Sequence, residues 1–90
     1  MYLLVTCDVF DDRRRRRVEK ILSGYGVRVN LSVFELELPK SKIGSLVASL
    51  EKVSSQKDNI RIYFLDEWSL KNSFVLHGSK GVFDAQTLYF

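Results

Sequence analysis

The sequence predicts an α+β fold of the ferredoxin-like type, a βαββαβ sandwich whose antiparallel sheet carries two helices on one face. Three observations predict it. Two stretches, Val18–Tyr25 and Ile43–Val53, repeat apolar residues at helical spacing. Four others are continuously apolar or alternate with period two, as strands do. Their order is strand, helix, strand, strand, helix, strand, within 90 residues that are 46% hydrophobic, enough for one domain and one core.

Each element has a local reason. Tyr2 to Val9 is apolar and β-branched with few polar breaks, so it is expected to be a central strand buried on both faces. Asp11 or Asp12 can cap the helix that follows. Val18, Ile21, Leu22 and Tyr25 form its apolar stripe, and Gly24 and Gly26 are expected to end it in left-handed conformations. From Val27 to Leu38 the apolar parity changes between Val33 and Phe34. A turn or bulge near Leu31 to Val33 would divide this run into two strands, although no glycine marks it. Pro39 closes the segment. Ile43, Leu46, Val47, Leu50 and Val53 give the second and cleaner helix. Ser54 to Asn59 is a polar loop. Ile60, Ile62 and Phe64 alternate with Arg61 and Tyr63 as a further strand. Ser69 to Phe74 fits neither pattern. Phe74 to Leu76 reads as a short strand, Gly78 to Gly81 as a flexible joint, and Val82 to Phe90 as an apolar and aromatic tail. Residues 1–78 are thus expected to form the domain, and 79–90 a tail that contacts a dimer partner or another protein.

Composition narrows the function classes. The formal net charge of +3 leans only weakly toward an anionic partner. A single cysteine, Cys7, rules out an internal disulfide and a cysteine-based zinc site and fits a reducing interior. The opening run has no basic n-region and contains an acid, so it reads as a strand rather than a signal peptide. No apolar run approaches the roughly 20 residues of a membrane helix. A cytoplasmic location and pairing with a second copy are the expectations for so small a chain.

Charge placement says more than its sum. Arg13 to Arg17 are five consecutive arginines in the first turns of the first helix. Cations there oppose the helix dipole, by about 0.3–1 kcal/mol each at exposed sites. Asp11 and Asp12 offset part of this. By helical phase Arg13 and Arg16 point to solvent with Lys20, Arg14 lies over the apolar stripe and can only snorkel at its end, and Arg15 and Arg17 flank it on opposite sides. Two readings stay open: a solvated face with Asp–Arg pairs, or a phosphate-binding patch at a helix N-terminus. Asp8, at the mouth of the first strand, is either a cap or a metal ligand. One carboxylate is a poor site for Mg²⁺, which commonly takes one or two carboxylates with waters and substrate phosphates. A two-fold dimer that brought two Asp8 side chains together would meet that need and could orient a water against a phosphodiester. Asp66, Glu67 and His77 have no ligand spacing. His77 reads as a surface or partly buried histidine, and Cys7 as a small hydrophobe. Ser32 and Ser69 have no evident base. Trp68, Phe74 and Tyr89 read as packing or association residues.

Several pieces together resemble the CRISPR-associated Cas-two (Cas2) family. They are the strand ending in Asp8, the DD-x-x-R-x-R-V stretch from Asp11 to Val18, GYG-x-R-V-x-x-SVFE from Gly24 to Glu35, and R-I-Y at Arg61 to Tyr63. The resemblance implies a ferredoxin-like homodimer whose C-terminal strand adds to the partner's sheet. It implies a Mg²⁺-dependent endonuclease on RNA or DNA, and a scaffold role with the Cas-one (Cas1) integrase in capturing new spacers, an antiviral function. Asp8 then corresponds to the metal-binding aspartate, one from each subunit. Arg15, Arg17, Arg28 and Phe34 fall where the family places residues for activity or nucleic-acid contact. Cys7 stands where an aromatic is common, and Asn30–Leu31 replace a frequent Gln-Tyr pair. Two functions compete: a nuclease with Asp8 on the metal and the arginines, Arg13 and Arg16 included, on the backbone, or a non-catalytic DNA-binding scaffold bridging integrase dimers.

Overall fold

The structure, a computed structural model, describes residues 1–78, 81–85 and 88–89. Its elements run β1 (Tyr2–Asp8), α1 (Asp12–Tyr25), β2 (Gly26–Asn30), β3 (Val33–Glu37), α2 (Lys40–Val53) and β4 (Asn59–Leu65). A short helix α3 (Glu67–Lys71), β5 (Phe74–Val75), a 3₁₀ turn (Val82–Ala85) and β6 (Leu88–Tyr89) follow. The four long strands form one antiparallel sheet in the order β2-β3-β1-β4, as a split βαβ requires.

β1 is central, but it is buried on one face rather than two. Leu3, Val5 and Cys7 enter the core beneath the helices, while Tyr2, Leu4 and Thr6 on the opposite face are only half-buried. Helices cover a single side of this sheet, so an apolar run can be central without being enclosed. Phe34 and Leu36 of β3, Val18 and Leu22 of α1, and Leu46 and Leu50 of α2 complete the core. The turn at Leu31–Ser32 separates β2 from β3 without a glycine, and a register shift between Arg28 and Asn30 takes up the parity change. On the edge strand β2, Val27 is exposed and Val29 only half-buried. Phe64 keeps core parity on β4 and is nonetheless exposed.

The end of α1 also differs from expectation. No left-handed residue stops it; Gly26 is extended, with φ −163° and ψ −152°. Glycine is needed there for another reason. A Cβ at residue 26 would run into the Glu35 carbonyl oxygen on β3 and the Leu36 side chain. Gly26→Ala is therefore expected to cost about 1–3 kcal/mol by forcing two paired strands apart, measurable as a lowered denaturant midpoint.

The region that sequence leaves ambiguous is α3. Asp66 caps it by accepting the Ser69 N–H at 2.8 Å, an Asp-x-x-Ser signal legible in retrospect. The 3₁₀ turn lies on the sheet face away from the helices. Phe83 is buried with its ring edge-on to Tyr2 (centroids 5.7 Å apart), and its N–H donates to Glu35 Oε1 at 3.1 Å. β5 and β6 pair in parallel within the same chain. The Gly78–Gly81 joint has a left-handed Gly78 (φ +143°), while residues 79–80 lie outside the described set. No helix among the described residues is long and apolar enough to cross a membrane.

Candidate functional site

β1 delivers Asp8 to one end of the sheet, opposite Asn59 of β4 in register. Strand alternation returns Val9 to the core and leaves Asp8 exposed. Asp8 lines a cleft of about 340 Å³ with Cys7, Val9, Arg15, Glu19, Leu31 and Ser32. The turn closing the cleft is tied to β1 by the Cys7 N–H, which donates to the Ser32 carbonyl at 2.9 Å. Burial, and then the charge of Glu19, push the Cys7 thiol pKa up. Cys7 is therefore a protonated packing group and not a thiolate nucleophile.

What distinguishes Asp8 is its lack of structural employment. The other aspartates of residues 1–78 each hold something. Asp11 caps α1 by accepting the Arg14 N–H at 2.9 Å, and that bond holds its carboxyl below the usual range. Asp12 pairs with Arg15 at 2.8 Å, Asp66 caps α3, and Asp58 grips Arg14. Asp8 has no such partner among the described residues, so its carboxylate is free for a cation or for substrate.

The arginine block divides by what each side chain touches. Arg14 does not snorkel at the end of the stripe. Its Nε and Nη2 donate to Asp58 at 2.9 and 3.1 Å in a bidentate fork. The same carboxylate accepts the Ser55 N–H at 2.9 Å and, at 3.4 Å, the Phe10 N–H. The Asp58 side chain is 0% exposed, and Arg14 with these other donors holds its carboxyl down at about 2. Asp58, which sequence reasoning missed, thus fixes both the start of α1 and the loop that leaves Asp8. Nothing local announces a pair separated by 44 residues.

The pair has a pH signature. An unfolded aspartate titrates near 3.9, so the stabilisation is complete above about pH 4 and is lost as pH falls toward 2. Asp58→Asn is expected to lower the melting temperature by roughly 5–10 °C at pH 7. The gap from the parent protein should close between pH 4 and pH 2 when melting is followed against pH.

Arg15 is held only by its exposed pair with Asp12, a contact weak enough for phosphate to displace. Arg13, Arg16 and Arg17 make no ion pair among the described residues. With Lys20 they are exposed along one side of α1, Arg17 at the edge nearest Ile21 by helical phase. Arg28 is engaged twice. It pairs with Glu19 at 2.7 Å, and its guanidinium lies 5.3 Å from the centre of the Phe34 ring.

Phe34 itself is 0% exposed. The ring that the resemblance associates with activity or contact is a core residue here, and reaches a ligand only through Arg28 above it. Truncating it would cost about 3–5 kcal/mol of core packing, so lost activity in such a variant would report unfolding. His77 is exposed on the segment after β5. No group of three or more His, Cys, Asp or Glu capable of holding a metal occurs among the described residues.

Comparison with known proteins adds to this geometry. The family model described as CRISPR associated protein Cas2 matches residues 1–73. The CRISPR-associated endoribonuclease Cas2 of Mycobacterium tuberculosis is 46% identical over 63 residues, covering 70% of this chain and 56% of that protein. The chain thus spans little more than half the length of that relative. CRISPR-associated endoribonuclease Cas2 3 of Synechocystis sp. is 44% identical over 72 residues, 78% of each chain. The crystal structure of Streptococcus pyogenes Cas2 superposes with a TM-score of 0.69 at 34% identity, covering 74% of this chain and 88% of that one.

Proposed function

The chain belongs to the CRISPR-associated Cas2 family, and from that membership we propose that it is a divalent-metal-dependent endoribonuclease acting in spacer acquisition. The observation that carries the reading is Asp8: an exposed carboxylate with no structural partner, in a cleft that Arg15 also lines. Relatives named endoribonuclease support RNA as the substrate class.

One chain meets a metal's needs only in part. Asp8 supplies a hard oxygen donor suited to Mg²⁺, while neighbouring Glu19 is committed to Arg28. A second Asp8 from a two-fold partner, together with substrate oxygens, would complete the donor set. The exposed Tyr63, Phe64 and Trp68, toward the other end of the sheet, support self-association as such and not a particular placing of Asp8. A divalent ion held by Asp8 would supply Lewis acidity to a water and to the phosphodiester there. The chain's own residues do the rest. Arg13, Arg16 and Arg17 hold backbone phosphates along α1. Arg15 exchanges Asp12 for a phosphate at the cleft. Arg28, braced by Glu19 and Phe34, offers a fixed positive charge nearby.

A second reading has its own support. Because a single chain brings one unpaired carboxylate to this cleft among the described residues, beside a long cationic face, the same homodimer can serve as a non-catalytic scaffold that binds DNA and bridges Cas-one integrase dimers. The two readings part at Asp8. Labelled RNA and duplex DNA incubated with the parent protein and with Asp8→Ala, in Mg²⁺ or in chelator, decide between them. Cleavage that needs both the ion and Asp8 supports the nuclease; equal binding with no cleavage in either protein supports the scaffold.

A further inference from the structure

Arg61 is a cation that neither the core nor the arginine face of α1 accounts for. It stands on β4 and is exposed on the open face of the sheet, because Ile60 and Ile62 on either side of it pack against the core. Two neutral groups of its own strand hold the guanidinium. Nε donates to Asn59 Oδ1 at 3.4 Å, and Nη1 donates to the Tyr63 hydroxyl at 3.3 Å. No carboxylate, Asp8 included, pairs with it among the described residues. Glu35, on the same face, lies two strands away across β1 and accepts the Phe83 N–H. Most of the five N–H donors of Arg61 are therefore open, on a fork that is already oriented.

Register sets this cation beside Asp8. Thr6 is opposite Arg61, and Asp8 is opposite Asn59. Asp8 and Arg61 are thus diagonal neighbours on adjacent strands, about 7–8 Å apart. The arginines of α1 belong to the helix layer, on the other side of Asp8. Asp8 is flanked by open cations in both layers, across one end of the sheet. A strand held by α1 alone would bring only one of its ends to Asp8. Cleavage within a chain needs nucleic acid on both sides of the carboxylate. The Asn59 and Tyr63 contacts fix the fork before a ligand arrives, which lowers the ordering cost of binding.

We infer that Arg61 binds a backbone phosphate on the open face of the sheet, so that a bound strand crosses the end of the sheet at Asp8, from the α1 arginines to β4. The inference rests on the reading of this sheet end as a nucleic-acid site and adds the second half of the path.

The test compares the full chain as parent, Arg61→Ala, Arg61→Lys and Lys42→Ala. Lys42 is exposed in the first turn of α2, which follows the end of β3 that pairs with Tyr2, so its loss removes the same charge at the opposite end of the sheet. Binding of a labelled RNA strand of about 20 nucleotides is followed by fluorescence anisotropy in chelator at a series of salt concentrations. Arg61→Ala is expected to lose about 0.7 from the slope of log K on log salt, so the parent should gain about fivefold on it when salt is lowered tenfold. Lys42→Ala should keep the parent's slope. Arg61→Lys should keep it too, which separates a lost charge from a damaged strand. An unchanged slope in Arg61→Ala, or a loss that Lys42→Ala matches, overturns the inference while leaving the α1 site standing. A change of oligomeric mass in Arg61→Ala by sedimentation also overturns it, assigning Arg61 to a contact between copies. A parent protein that binds no RNA removes the underlying reading, and this contact with it.

Discussion

Asp8→Ala is expected to reduce Mg²⁺-dependent RNA cleavage by at least about 100-fold, since a metal that offsets transition-state charge contributes several kcal/mol and each 1.36 kcal/mol is tenfold in rate. Three further readouts separate this outcome from simple damage. Melting should be unchanged, because Asp8 is exposed and holds no partner. RNA binding in chelator should persist, since the substitution removes a negative charge from the neighbourhood of the arginines. Added Mg²⁺ should no longer restore cleavage at concentrations that saturate the parent protein. Cleavage that survives in Asp8→Ala would remove Asp8 from the chemistry and point to a contaminating nuclease or to another site.

The second large effect is expected from replacing Arg13, Arg16 and Arg17 together by alanine. Each phosphate contact contributes a slope of about −0.7 on single strands and −0.9 on duplex DNA to the dependence of log K on log salt. Losing three should flatten the slope by roughly 2 to 3 and weaken binding most at low salt. Stability should move the other way. Cations in the first turns of a helix oppose its dipole, and alanine is the best helix former, so the triple variant should melt at the same temperature or higher. Arg14→Ala serves as the internal contrast. It breaks the fork on Asp58, so it should lower the melting temperature and leave the salt slope alone. A triple variant with an unaltered slope would make the arginine face a solvated surface and nothing more.

The contrast between Arg14 and its neighbours also marks where sequence reasoning stops. Periodicity located β1, both long helices and β4, because each buries one face and must space its apolar residues accordingly. The break between β2 and β3 was legible from a parity change alone. Asp8 and the arginine face were legible as candidates, each with a local alternative, a cap and a solvated face; the fold adds that Asp8 caps nothing among the described residues. The Arg14–Asp58 fork was not legible, because residues 44 apart meet only after the sheet has formed. The burial of Phe34 was legible from the alternation of Phe34, Leu36 and Leu38 with Glu35 and Glu37, although its motif position alone does not give it. Gly26 was read as a helix stop when its true constraint is the close approach of β3, a property of strand pairing rather than of φ.

The Asp58 carboxylate has a consequence for motion. It joins the loop after β1, through the Phe10 N–H, to the loop before β4, through the Ser55 N–H, with Arg14 as the third tie. Two segments that would otherwise fluctuate separately are thereby a single unit of local opening. Whatever stiffens the loop beside Asp8 must also quiet the one at residues 55–58. A ligand that used this loop would then have less of the loop left to order, because folding has already tied that segment down.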